Sequence, residues 1–117
     1  MTVQHVTLEV DRQREEECVA FYELLGFHRV EPPPSLADRA AWVESGDVQV
    51  HLMWVEEPTA LPDGHIAVVV PDYEATVEAL RSAGHDVEPR TEHWGSPRSY
   101  VRDPAGNLVE LMAFPPG

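Results

Sequence analysis

Two stretches decide the fold: HVTLEV at His5–Val10 and HIAVVV at His65–Val70. They begin 60 positions apart, and the likeness extends outward from them. VQVHLMWV at Val48–Val55 lines up with NLVELMAF at Asn107–Phe114, 59 positions on, which sets His51 opposite Glu110. Between these segments each half carries a helix-like stretch, a glycine and a strand that runs into Glu-Pro: Gly26 to Pro32, then Gly84 to Pro89. A period near 60 is longer than that of a solenoid repeat and marks a duplicated half-domain. The order β-α-β-β-β therefore occurs twice, giving an α+β chain with module one at 1–55, a linker at 56–64 containing Pro58, Pro62 and Gly64, and module two at 65–117.

Local chemistry supports that order. Asp11 is a candidate N-cap, and Cys18, Phe21, Tyr22 and Leu25 follow the spacing of one buried helical stripe. Gly26 supplies the left-handed residue that ends such a helix. In the second half Asp72 caps, Tyr73, Val77 and Leu80 form the stripe, and Gly84 closes it. The run Pro32-Pro33-Pro34 stops the second strand. Ser45-Gly46-Asp47 and Asp103-Pro104-Ala105-Gly106-Asn107 have the composition of hairpin turns.

At 117 residues the chain has the size of one domain. Its 8 basic and 21 acidic side chains leave a net charge of −13, which argues against binding nucleic acid or an anionic membrane surface. The single cysteine, Cys18, allows neither an internal disulfide nor a cysteine-based zinc site and suits a reducing, cytoplasmic setting. MTVQHVTLEV lacks the basic and apolar segments of a leader, and no apolar run approaches membrane-spanning length, so a cytoplasmic protein is expected.

Strand side chains alternate between faces. With Val6, Leu8 and Val10 on one face of the first strand, His5, Thr7 and Glu9 lie on the other. The same rule separates His65 from Ile66, Val68 and Val70, separates Gln49, His51 and Met53 from Val50, Leu52 and Trp54, and separates Glu110 from Val109 and Leu111. If the apolar faces cover the helices, His5, His51, His65 and Glu110 share the opposite side. An unpaired carboxylate is costly to bury, and a divalent cation among imidazoles would compensate it, so these four are candidate metal ligands. The alternative is a wet cleft in which they hydrogen-bond one another.

The doubled βαβββ order, the FYELLGF segment at Phe21–Phe27 and YVRDPAGNLVELM at Tyr100–Met112 resemble the vicinal oxygen chelate superfamily of glyoxalases, extradiol dioxygenases, fosfomycin-modifying enzymes and bleomycin resistance proteins. The resemblance implies a curved mixed sheet with helices on its outer face, a small-molecule substrate that chelates a metal through adjacent oxygens, and a cleft built either within one chain or across a dimer; apolar sheet edges and a curved sheet open on one side favour a homodimer. It also implies that His5, His65 and Glu110 hold Fe, Mn, Ni, Co or Zn. His51 stands where glyoxalase-like members carry a fourth, usually carboxylate, ligand; it is a fourth ligand or a general base, and with Glu110 a candidate catalytic group. Glu9 stands where bacterial glyoxalases have an arginine for an anionic tripeptide, a departure that argues against that substrate. Glu9, His93, Trp94, Arg98 and Tyr100 are the candidate pocket residues. Chemistries of the lyase, isomerase and dioxygenase kinds are all compatible with the resemblance.

The competing expectation is a metal-free binding protein similar to the bleomycin resistance proteins. The segment from Trp94 to Asn107 and the acidic charge suit capture of a cationic small molecule.

Overall fold

The computed structural model describes residues 1–117 and follows the doubled order. Module one contains β1 (His5–Val10), a 3-10 turn at Arg12–Arg14, α1 (Glu15–Leu24), β2 (His28–Val30), β3 (Ala40–Ser45) and β4 (Val48–Trp54). Module two contains β5 (His65–Val69), α2 (Tyr73–Ser82), β6 (Glu88–Pro89), β7 (Arg98–Arg102) and β8 (Leu108–Met112). Each module forms a four-stranded mixed sheet, ordered β1-β4-β3-β2 and β5-β8-β7-β6. In both, the first strand runs parallel to the last and the remaining pairs are antiparallel. No helix is long and apolar enough to cross a membrane.

Glycine ends both helices as expected, with Gly26 at φ 103° and Gly84 at φ 93°. Asp72 caps α2 by accepting from the Ala75 N–H at 3.4 Å. Asp11 does not cap α1. Its side chain makes no capping bond and instead takes Arg14 at 3.1 Å, because Arg12–Arg14 close a 3-10 turn first and the helix proper starts at Glu15. The acidic run Glu15–Glu17 then occupies the first turn, where it complements the helix dipole.

One hydrophobic core unites the halves. Cys18, Phe21, Tyr22 and Leu25 of the first stripe pack in it with Val43, Val50 and Leu52 from one sheet and Leu80, Val101, Val109 and Leu111 from the other module. β8 is buried along its whole length, so Leu108, Glu110 and Met112 are covered like the core residues between them. The strongest polar tie across the halves is Tyr22, whose hydroxyl donates to Asp103 Oδ2 at 2.8 Å. Asn107 adds a second by donating to the Glu9 carbonyl at 3.0 Å.

Burial sets the alkaline limit of this core. The Cys18 thiol is pushed up from 9.0 to about 12, first by desolvation and then by Asp103. The Tyr22 hydroxyl is raised above its ordinary 10.0 by desolvation and by the same carboxylate. Above pH 9 the unfolded chain releases protons that the folded chain retains, so the stability is complete below that pH and is lost as pH rises. Each group contributes a slope of about 1.4 kcal/mol per pH unit in its window. Urea unfolding at pH 8 and pH 10.5 should show a lower midpoint at the higher pH, and Cys18→Ala should flatten the drop. Native Cys18 should resist alkylation.

Candidate metal and substrate site

The polar residues form two pairs, one on each sheet. In module two, β5 and β8 run parallel with Ala67 opposite Glu110. The His65 ring reaches across so that Nε2 lies 3.0 Å from Glu110 Oε1. Its Nδ1 lies 2.7 Å from the Asp63 carbonyl oxygen. A carbonyl can only accept, so Nδ1 carries the proton, and a neutral ring then turns its Nε2 lone pair toward a carboxylate oxygen. Two acceptors at that distance need a positive centre between them, either a second ring proton or a cation. A separation of 3.0 Å lets both atoms reach one ion at ligand bonds of roughly 2.1 Å, so His65 and Glu110 would fit as neighbouring ligands. The Asp63 carbonyl is the kind of outer partner that fixes a ligating histidine.

Glu110 is also held from its other side. Arg98 Nε donates to Oε2 at 2.9 Å, and both side chains are 9% exposed. The remaining Arg98 nitrogens donate to the Thr91 carbonyl at 2.6 Å and the Tyr100 hydroxyl at 3.3 Å. The hydrogen bond to Glu110 raises the Arg98 guanidinium above its ordinary range. Expected as a pocket-lining residue, Arg98 is therefore the buried partner that compensates Glu110.

In module one, His51 is sandwiched. Its ring stacks on His5 at 4.1 Å and 14° and on Trp42 at 3.8 Å and 0°. Trp42 is its register partner on β3. Nδ1 of His5 lies 2.6 Å from Gln4 Oε1, and Nε2 of His51 lies 2.8 Å from Gln49 Oε1. Desolvation first, and then His5, lowers the His51 pKa below 6.5, which favours the neutral ring. Imidazole lone pairs lie in the ring plane, and stacked rings hold theirs in nearly parallel planes. For both histidines to address one ion, a ring must turn.

No three His, Cys, Asp or Glu side chains within the chain are grouped to hold a metal. The four sequence-derived ligands thus stand as His5 with His51 and His65 with Glu110. Glu9 and His65 meet in a cleft of about 370 Å³ along the seam between β1 and β5, where Glu9 Oε1 accepts from the Thr59 N–H at 2.9 Å. Tyr100, opposite Glu110 in register, has its ring 5.2 Å from that of His65 and lines a neighbouring cleft of about 480 Å³ with Asp63 and Arg90. His93 is exposed. Trp94 donates to the Phe114 carbonyl at 2.8 Å, so it fastens the C-terminal segment. Trp42, Glu44, Gln49 and Asp63 were not singled out from the sequence. Strand alternation does set Gln49 beside His51, whereas the Asp63 carbonyl leaves no mark in residue type.

The family model described as Glyoxalase/Bleomycin resistance protein/Dioxygenase superfamily matches residues 2–111. Among solved structures, a glyoxalase family protein from Bacillus anthracis superposes with a TM-score of 0.86 and 27% identity, covering 96% of this chain and 93% of that one. The fosfomycin resistance protein FosX from Mesorhizobium loti gives 0.77 at 21% identity, with coverages of 97% and 92%. TnmS3, an antibiotic binding protein from Streptomyces sp. CB03234, gives 0.72 at 22% identity, with coverages of 96% and 94%. At these identities FosX and TnmS3 share the fold. No curated protein matches the chain in sequence.

Proposed function

The chain belongs to the glyoxalase/bleomycin resistance protein/dioxygenase superfamily, and on that premise we propose that it is a metal-dependent enzyme acting on a small molecule with two adjacent oxygens. The observation that carries this reading is the His65–Glu110 pair, whose facing acceptor atoms lie 3.0 Å apart beneath a carbonyl-fixed imidazole. His65, Glu110 and His5 would hold Fe, Mn, Ni, Co or Zn. Such an ion supplies Lewis acidity, worth several kcal/mol to a developing oxyanion as a rough class figure.

The chain's own residues divide the remaining work. His51 is the general base: its stacking disfavours shared ligation with His5, and its neutral ring is ready to accept a proton. Arg98 holds one oxygen of Glu110 and leaves the other facing His65, where it would hold the ion. Tyr100 and Glu9 border the substrate space, and the Glu9 carboxylate repels an anionic group brought along the seam.

Joining the two pairs is the role we assign to a homodimer. An apolar groove of about 480 Å³ along β1 and β5, lined by Val3, Val6, Val48, Ile66 and Val69, supports it. Light scattering should give twice the chain mass at micromolar concentration; a monomer there overturns the dimer.

The enzyme reading is tested by metal analysis of protein purified without added metal and then reconstituted. Stoichiometric metal is expected, followed by turnover of one of three probes: an α-ketoaldehyde hemithioacetal, a catechol or fosfomycin. No stoichiometric metal overturns it. The second reading, a metal-free protein that sequesters a cationic small molecule, draws on the Arg98–Glu110 pair, which already neutralises the buried carboxylate, and on the −13 charge. Calorimetry with a cationic glycopeptide in chelator tests it.

A further inference from the structure

His51 is gripped by more than its stacking neighbours. The Gln49 amide that meets its Nε2 is itself engaged, because Gln49 Nε2 donates to Glu44 Oε1 at 2.9 Å. The other Glu44 oxygen lies 3.7 Å from His28 Nε2 at the surface. Backbone register sets up this row: Glu44 pairs with Gln49 and Trp42 with His51 across β3 and β4, while His28 pairs with Glu44 from β2.

The chemistry of the row has one direction. A carboxylate only accepts, so the Gln49 amide turns its NH₂ to Glu44 and its oxygen to the imidazole. That oxygen also only accepts, so the proton of a neutral His51 sits on Nε2 and the lone pair on Nδ1. The reversed amide would set its NH₂ against the ring and its oxygen against a carboxylate. The faces of the ring are closed by His5 and Trp42, which leaves the ring no rotation by which to exchange its nitrogens.

We propose that Glu44 and Gln49 are positioning residues that fix the tautomer and orientation of His51, so that Nδ1 is the ring nitrogen that carries its free lone pair. The proposal rests on the reading that His51 works at this site. Its first test is therefore independent of metal and turnover.

In chelator-treated, ¹⁵N-labelled full-length protein at pH 8, long-range ¹H–¹⁵N correlation distinguishes the two imidazole tautomers. The His51 signals are assigned by their loss in His51→Asn. The expected result is one form, protonated at Nε2. Glu44→Gln frees the amide to turn, and Gln49→Leu removes the partner; each should give a mixture of tautomers while the signals of His65, His85 and His93, which touch neither residue, hold. A His51 protonated at Nδ1 in the parent, or a tautomer unchanged in both variants, overturns the proposal. Glu44 lies at the surface end of the row, so Glu44→Gln tests the idea even if Gln49→Leu folds poorly. The metal reading is judged by the parent's metal content and the positioning role by this spectrum, so either can fail alone.

Discussion

Glu110→Gln should abolish stoichiometric metal binding while leaving the fold intact. The substitution keeps the shape of the side chain and an oxygen for Arg98, and it removes the charge that would face the ion beside His65. His65→Ala should have an equal effect, because it deletes the other member of the pair. Loss of an outer partner of a metal ligand costs roughly 10–100-fold in affinity, and loss of either ligand should exceed that. Zn²⁺ titration of the two variants checks it, and parent-like affinity in either one removes that residue from the ligand set. Glu110→Ala is a different experiment. It strands the Arg98 guanidinium, 9% exposed, without a counter-charge, at a cost of about 3–5 kcal/mol. Comparing Gln with Ala at position 110 separates the role in holding metal from the role in holding Arg98.

The second large effect is on stability. Asp103 is 4% exposed and accepts four hydrogen bonds: from the Tyr22 hydroxyl at 2.8 Å, from the Asn107 side chain at 3.0 Å, and from the Ala105 and Asn107 N–H groups at 2.9 Å each. Asp103→Ala leaves those donors dry and unpartnered. Bonds to a charged group are worth about 1.5–3 kcal/mol each but share one site and do not add, so the expected loss is about 3–5 kcal/mol. That is a large part of the 5–15 kcal/mol typical of a whole domain. Tyr22→Phe removes one donor only and should cost about 1–2 kcal/mol. Urea denaturation should rank the two in that order; an Asp103→Ala loss below 1 kcal/mol would show that water replaces the carboxylate.

Much of this was legible in the order of residues. Repetition revealed the doubled βαβββ order, and alternation assigned His5, His51, His65 and Glu110 to the face away from Val50, Leu52 and Val109. Two positions apart in β7, the candidate pocket residues Arg98 and Tyr100 also fall on a common face by alternation. Alternation could not disclose that Arg98 bends back to neutralise Glu110, because side-chain reach depends on torsions that spacing does not encode. The stack of His5, His51 and Trp42 was hidden for the same reason, since it needs the β3–β4 register as well as strand identity. Asp11 misled because a capping residue type was followed by a 3-10 turn, and three glutamates made a better start for α1.

The hydrogen bond between Tyr22 and Asp103 joins residues 81 positions apart, from the helix of one half to a turn of the other. The two halves are built to one plan, yet this clasp runs one way: the first half gives the phenol and the second gives the carboxylate. A chain severed in its linker would yield fragments that are not interchangeable. Two first halves would bring two hydroxyls together and two second halves two anions, while a first and a second would close the buried contact. The clasp is thus a lock and key within a duplicated chain, and it directs each half toward its unlike partner, whether that partner lies on the same chain or on another.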